Sequence, residues 1–342
     1  MIGLGLLSIP NRLSSVGYSQ WWFPVLMGIL ATLTLIPMVR ISSKYKDDSL
    51  FKIHEILLGK YLGKMINGLI VIFGVLFMAG VVERYLEIIQ IVVLPHRTIT
   101  AHIIIFMLIS IGIAKGGIKS IARFCIMTFF ITGPMIFILR WAIPESEFTH
   151  LLPLFNFNSA DFLKAIKEAY MSMVGYELIM FYFPYIIHQQ KVFKQATLGI
   201  WINVFFYTAV SVVSVMHFSE WQLEKLVYPV LNLFKAVELS FMERIDTIGL
   251  TLYIFLILST VSAYLWVLKE GVESIRSKKN PVYLYVIAAI ISFIVYLPLS
   301  QTVQNYLYDN IFYFSYTFIL WPILLCFLEL IKSRKKKGTQ TQ

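Results

Sequence analysis

The chain has 342 residues, of which 58% are hydrophobic and only 14% are charged, and its mean hydropathy is +0.75. Soluble domains are about 45–50% apolar and about 25% charged, so this composition excludes an ordinary water-soluble fold and predicts lipid-facing helices. The net charge is +10, which raises the question of nucleic-acid binding until the positions of the charges are considered. The two cysteines, Cys125 and Cys326, are too few for a disulfide framework or a metal-ligand cluster.

Ten apolar segments are long enough, or nearly long enough, to cross a bilayer, which takes roughly 20 residues of helix. Lipid offers no partners for backbone polar groups, and the segments lack the alternation of barrel strands, so we expect α-helices. In chain order the predicted spans are 2–18, 21–39, 66–94, 99–114, 121–142, 169–187, 197–217, 246–268, 282–300 and 310–331. The sequence thus predicts an all-α polytopic membrane domain over residues 1–331 and a basic cytoplasmic tail at 332–342.

Lys and Arg residues are distributed unevenly between the predicted loops. If the N-terminus is cytoplasmic, about 20 of the 29 Lys and Arg residues fall in inside loops and the tail, as the positive-inside rule requires. The pattern predicts ten spans with both termini in the cytoplasm. The positive net charge then reflects topology and attraction to anionic lipid, and no nucleic-acid partner is expected.

The first predicted span contains helix-breaking residues from its start. Residues 1–10 read MIGLGLLSIP, with Gly3, Gly5 and Pro10 in one apolar run. Freed backbone groups are tolerated at membrane depth only where they line a cavity, although glycines in membrane helices also serve as points of close approach. The candidate ligand-binding residues here are Gly3, Leu4, Gly5 and Leu6.

Three stretches between the spans are too polar to cross the membrane. Residues 41–65 predict an amphipathic helix on the inner surface, either a solvated connector or a docking surface. Residues 143–168 and 218–245 place apolar side chains at helical spacing, which predicts short helices lying on the outer face.

The third span carries charged residues in its interior. Glu83 and Glu87 lie one helical turn apart on one face, and Arg84 lies beside them. Ionisable residues at membrane depth are costly and are functional candidates by default. The group is either a structural clamp or part of a gate or ion path.

The sixth span, AYMSMVGYELIMFYFPY at 169–185, is interrupted by Gly175 and Pro184 and carries Glu177 well inside it. That carboxyl group is either a functional group for gating or ion passage, or a neutral group hydrogen-bonded to a neighbour. The candidate ligand-binding residues here are Met173, Val174, Gly175 and Tyr176.

The eighth span contains hydroxyl groups at Ser259, Thr260 and Ser262. Such hydroxyls commonly bond the carbonyl one turn back along the helix. The alternative, which we carry forward, assigns Ser259 and Thr260 to ligand binding.

Breaks in spans one and six lie five spans apart, which matches an inverted five-plus-five repeat with a substrate at mid-membrane between two discontinuous helices. The helix ends at each break supply amides and carbonyls with partial charge. A small zwitterion such as an amino acid binds its carboxylate at amides and its ammonium at carbonyls. We find no reactive constellation of an enzyme, and the sequence predicts neither a metal nor a cofactor.

Several motifs resemble the endospore germination permeases, the B subunits of nutrient germinant receptors, which belong to the amino acid–polyamine–organocation transporter superfamily. The resemblance covers nearly the whole chain. It is carried by GLGLLSIP (3–10), LGKYLGK (58–64), GGIKSIARF (116–124), MVGYELIMFYFP (173–184) and YPVLNLFKAVELSFMERID (228–246).

The resemblance implies a ten-helix, LeuT-like inverted-repeat fold in the inner membrane of a dormant spore. It also implies a complex with a large membrane A subunit and a lipoprotein C subunit, in which a small nutrient triggers germination. By position, the GLG at 3–5 and the VGY at 174–176 line the ligand pocket. Family members have a further half-helix before the GLG, so we expect either a misassigned start codon or a shortened protein.

Two other functions stay open at this point. A proton-coupled amino-acid secondary transporter has the same fold and the same kind of site. A structural membrane scaffold with a vestigial site is the third possibility.

Overall fold

The computed structural model describes residues 3, 5–93, 100–235, 245–297 and 301–339, and within those ranges the regular structure is helical. The α-helices are α1 (Gly5–Arg12), α2 (Phe23–Lys44), α3 (Leu50–Leu58), α4 (Lys60–Val92), α5 (Thr100–Lys115), α6 (Gly117–Thr132), α7 (Ser159–Tyr170), α8 (Ile179–Tyr182), α9 (Val192–His217), α10 (Glu220–Lys225), α11 (Pro229–Lys235), α12 (Ile245–Arg276), α13 (Val282–Tyr296) and α14 (Gln301–Thr339). Short 3₁₀ segments join several of them, including Ser14–Trp22, Gly133–Ala142, Met171–Met173, Tyr176–Leu178 and Phe183–Tyr185.

Six helical stretches in the described ranges are long and apolar enough to cross a membrane. They are Ser14–Lys44, Lys60–Gln90, Gly117–Ala142, Gln189–His217, Thr247–Arg276 and Ser315–Ser333, and they overlap the predicted spans two, three, five, seven, eight and ten. The shorter apolar helices Thr100–Lys115 and Val282–Tyr296 overlap spans four and nine. The first and sixth predicted spans contain only shorter helical pieces. This confirms a multi-pass, all-helical membrane protein.

Helix α12 forms the centre of the bundle and contacts α4, α5, α6, α11 and α13. Two-thirds of its most apolar stretch is buried within the protein, whereas little of Gly117–Ala142 is. The difference follows from position, because a helix surrounded by others loses its exposed surface and a peripheral helix leaves apolar side chains for lipid. Phe130 and Phe137 are examples of such exposed side chains.

Segment 41–65 contains the short helix α3, as predicted, and one face of α3 is buried. Phe51, Ile53 and His54 are buried against the protein, while Lys52 is exposed and pairs with Glu55 at 2.9 Å. Helix α3 is therefore packed against the bundle through one face, and a docking surface on the rest of the segment stays a prediction.

The two other polar segments, 143–168 and 218–245, also form short helices. In 218–245, α10 begins with a capping box of Ser219 and Gln222, and α11 follows, while residues 236–244 lie outside the described ranges. In 143–168, α7 begins at Ser159 because the Asn158 side chain accepts a hydrogen bond from the Asp161 amide at 2.8 Å. Helix α7 ends at Tyr170, just inside the predicted sixth span.

Candidate functional site

The helical path of the sixth span is interrupted at Val174 and Gly175. Helix α7 continues as a 3₁₀ turn to Met173, Val174 turns out with ψ 140°, and Gly175 has φ 126° and ψ −20°. A second 3₁₀ turn and α8 then follow. An L-residue rarely adopts this φ, while a Cβ placed on Gly175 has no heavy atom within 4 Å, so glycine is required by conformation and not by space. The predicted interruption at Gly175 is confirmed.

The Glu177 carboxylate makes hydrogen bonds at this break. Its Oε2 accepts a hydrogen bond from the Gly175 amide at 2.7 Å, and its Oε1 accepts one from the Tyr264 hydroxyl on α12 at 2.6 Å. Glu177 is 8% exposed. Glu177 is thus hydrogen-bonded within the protein, and its role in gating or ion passage stays a prediction. One amide that the sequence analysis assigned to a ligand is therefore occupied by the protein itself.

Three hydroxyl groups connect the two halves of the broken span to α2. Tyr176 Oη lies 2.7 Å from Tyr170 Oη and 2.6 Å from Thr34 Oγ1, and the last two oxygens are 3.0 Å apart. Tyr170 ends α7 and Tyr176 begins the turn after the break. The cluster therefore fixes the separation of the two halves.

Helix α1 lies directly against the same break. A Cβ on Gly5 would lie 2.5 Å from Ser172 Cβ and 2.8 Å from Ser172 Cα, so Gly5 is a point of close approach. The Gly3 carbonyl accepts a hydrogen bond from the Tyr253 hydroxyl. Of the other two candidates here, Leu6 lines a small apolar cavity with Tyr253, and Leu4 lies outside the described residues.

One cleft of about 250 Å³ adjoins the break, and a second cleft of about the same volume shares Gly199 and Asn203 of α9 with it. The first cleft, here named the break cleft, is lined by Met173, Gly175 and Tyr176 among others. The second, here named the α6–α12 cleft, is lined by Cys125, Thr128, Phe129, Ile202, Leu256 and Ser259 in addition to the two shared residues. The structure thus brings three of the four candidates of the sixth span together at one cleft.

Other candidates lie elsewhere. Val174 and Glu177 line a small apolar cavity of about 40 Å³ beside α4. Ser259 and Thr260 donate hydrogen bonds to the Leu256 carbonyl at 2.7 and 3.1 Å, which is the back-bonding alternative. Ser259 nevertheless faces the α6–α12 cleft.

Asn203 is a site residue that the sequence analysis missed. It is 9% exposed, its Oδ1 has no hydrogen-bond partner among the described residues, and its Nδ2 lies 3.8 Å from Met173 Sδ. A single carboxamide in the middle of the apolar segment 197–217 was the available signal, because polar groups at membrane depth need partners.

With this geometry in place, comparison with known proteins decides the family. Residues 1–304 match the family model described as spore germination protein. The chain belongs to the spore germination protein family. This confirms the resemblance that the motifs indicated.

Several members of the spore germination protein family from Bacillus are similar to the chain over most of its length. Spore germination protein GerQB of Bacillus cereus is 25% identical over 330 residues, covering 94% of this chain and 90% of the relative. Spore germination protein A2 of Bacillus subtilis is 23% identical, covering 98% and 93%. Spore germination protein B2 of the same organism is 23% identical, covering 72% and 68%.

In this member of the spore germination family, the charged group of the third span lies away from the break. Glu83, Arg84 and Glu87 are partly buried near the C-terminal end of α4. Burial raises the pKa of Tyr228, next to the start of α11; the charge of Arg84 lowers it and that of Glu87 raises it. The group therefore faces the α10–α11 segment, and its role in gating or ion passage stays a prediction.

Proposed function

We propose that the chain is the nutrient-binding membrane subunit of a spore germinant receptor, with its ligand seated in the break cleft. The observation that carries the proposal is the left-handed backbone at Gly175, which interrupts a span beside a cleft of about 250 Å³. Irregular backbone at membrane depth is found where it lines a cavity or lies within the protein. A ligand-binding site in the break cleft accounts for this interruption.

The ten-span, five-plus-five inverted repeat belongs to the same proposal. Six long helices, two shorter ones and two interrupted spans at positions one and six support it, because ligands of such repeats lie between the two discontinuous helices. Family membership supports the spore inner membrane as the location and a complex with A and C subunits. The excess of Lys and Arg in alternate loops supports cytoplasmic termini.

The site favours a small nutrient with both charges, for which an amino acid is the simplest case. Glu177 occupies the Gly175 amide, so a ligand carboxylate in the break cleft has to bind other groups that line it. The ammonium is assigned to the Met173 carbonyl at the end of the turn Met171–Met173, because the Met171 carbonyl accepts from the Val174 amide and the Ser172 carbonyl accepts from the Tyr207 hydroxyl. A ligand that binds one conformation tenfold more tightly than the other shifts the equilibrium between the two conformations by about 1.4 kcal/mol. The partner subunits then respond to the change in conformation.

Gly175→Val tests this proposal. Valine is strained at φ 126°, so the backbone of the break must rearrange, and we expect loss of nutrient response while the protein still inserts. Gly112→Val on the exposed face of α5 is the matched control and should respond normally. A normal dose–response curve for spores carrying Gly175→Val, with wild-type protein levels, would refute the site.

A second candidate, a proton-coupled amino-acid transporter, is favoured by one observation, the buried Glu177 carboxylate beside the break. Intramembrane carboxyl groups serve as proton relays in transporters. Counterflow of labelled amino acid in proteoliposomes holding this chain alone, lost in Glu177→Gln, supports transport. Nutrient response without counterflow supports the receptor.

A further inference from the structure

We infer that the α6–α12 cleft receives the side chain of the ligand, and that Asn203 and Thr128 select an amino acid whose side chain is uncharged and donates a hydrogen bond. The inference deepens the proposed function and rests on it. It assigns a specificity role to two residues outside the helix breaks.

The break cleft and the α6–α12 cleft are connected through two shared residues. Asn203 and Gly199 line both of them, and Gly175 lines the break cleft that opens onto this pair. A Cβ placed on Gly199 has no heavy atom within 4 Å, so the passage over this residue is open. A ligand whose backbone groups lie beside Gly175 therefore has its side chain directed past Gly199 toward the second cleft.

Two polar atoms of residues that line the α6–α12 cleft lack a partner. Asn203 Oδ1 and Thr128 Oγ1 are both buried, and neither has a hydrogen-bond partner in the described part of the chain. Thr128 is 1% exposed. Buried polar groups in native proteins are nearly always satisfied by protein, water or ligand. An amide oxygen accepts and a threonine hydroxyl both donates and accepts, so the pair fits a hydroxyl or a carboxamide.

The lining of the α6–α12 cleft is uncharged. The residues that line the α6–α12 cleft, all of them described, include neither an Asp or Glu nor a Lys or Arg. A cationic side chain placed there would have no counter-charge among these lining residues, which is unfavourable in a membrane interior. Basic amino acids are therefore excluded, and a neutral polar side chain fits the two unpartnered groups.

The size of the cleft agrees with this class. A cleft needs about 10–15 Å³ of open space to hold one water molecule, so about 250 Å³ leaves room for many water-sized groups. Serine, threonine, asparagine and glutamine side chains are well within that limit. The hydroxyl and carboxamide members of the class are separated by the experiment below.

The experiment measures equilibrium binding of alanine, serine, asparagine and lysine to the purified full chain in lipid nanodiscs. We expect either serine or asparagine to bind at least about tenfold more tightly than alanine, because a site built to bond a polar group discriminates against the analogue that lacks it. Lysine should bind most weakly. Asn203→Leu should lower affinity for the preferred polar ligand by about tenfold or more and leave alanine nearly unchanged.

Thr208→Val, on the same helix, is the matched control and should leave the preference intact. A thermal melt of each variant in the nanodisc separates loss of selectivity from loss of folding. Equal binding of alanine, serine and asparagine to the wild type overturns this inference and leaves the proposed function standing. So does an equal loss for all ligands in Asn203→Leu, whereas no binding of any amino acid to the wild type overturns both.

Discussion

At the scale of single residues, the carboxylate of Glu177 determines how the interrupted span is held. It accepts from the Gly175 amide within the break and from the Tyr264 hydroxyl on the central helix α12. A buried charge or carboxyl group is tolerated only with such partners. The break is thus connected to the core of the bundle through one side chain.

Tyr264→Phe should destabilise the protein, since it removes one donor from a buried carboxyl group without opening a large cavity. The expected loss is about 1.5–3 kcal/mol, the range for hydrogen bonds to charged groups. Thermal unfolding in detergent measures it. Tyr296→Phe, which removes a hydroxyl from a side chain that is 62% exposed, should melt like the wild type. If both variants melt alike, Tyr264 does not support Glu177.

At the scale of elements, α3 is held by a hydrogen-bonded histidine. Trp321 of α14 donates its indole N–H to His54 Nε2 at 2.8 Å, and His54 Nδ1 lies 2.7 Å from Asn67 Oδ1 on α4. An indole nitrogen only donates, so Nε2 accepts and Nδ1 carries the proton. The imidazole is therefore neutral, and it joins three helices.

Stability should fall with acidification because of this histidine. Burial lowers the pKa of His54 from 6.5 to about 4, so the unfolded chain binds a proton between these values and the folded chain does not. The neutral His54 contributes fully to the free energy of unfolding above pH 6.5, and this contribution is lost as the pH falls toward 4. At pH 5 the loss amounts to about 2 kcal/mol. Melting temperatures of wild type and His54→Gln at pH 7.5 and 5 measure it.

The pH dependence should be smaller in His54→Gln than in the wild type. His188→Gln, at an exposed position, should keep the wild-type dependence. An unchanged pH dependence in His54→Gln would show that the acid sensitivity has another source.

The packing of α1 against the break supplies a third prediction. Alanine at position 5 would place a methyl group 2.8 Å from the backbone Cα of Ser172, and backbone cannot move aside as a side chain can. Gly5→Ala should therefore cost about 1–3 kcal/mol, the range for overpacked sites. Gly68→Ala, where a Cβ has nothing within 4 Å, is the control and should be neutral or stabilising. Chemical unfolding of both variants decides the point.

At the scale of the whole molecule, the sequence predicts where the helices are better than what they contact. Long apolar runs determine the six long helices, because lipid leaves the backbone no alternative to internal hydrogen bonds. The interruption at Gly175 is also predictable, since a glycine in such a run is a local signal. The start of α7 was not predictable from hydropathy, because the cap at Asn158 is a local polar feature outside any apolar run.

The contacts of the site were not predictable in the same way. Tyr264 is 87 positions from Glu177, and nothing in the intervening sequence indicates that these side chains meet. Asn203 looks like one polar residue in an apolar span until the bundle places it between two clefts. Gly5 was interpreted as unwound backbone, but its distance to Ser172 shows close packing.

The central claim is that the backbone around Gly175 forms a ligand-accessible opening inside the bundle. Single cysteines at Tyr176 and Ile179, two partly buried residues that line the break cleft, with Cys125 and Cys326 replaced by serine, test it by labelling with a membrane-impermeant thiol reagent. A cysteine at Val215, which is fully buried in the uninterrupted helix α9, is the control. We predict that positions 176 and 179 are labelled, that a mixture of the twenty amino acids protects them, and that position 215 is unreactive. Labelling at 176 and 179 no greater than at 215 would contradict the account.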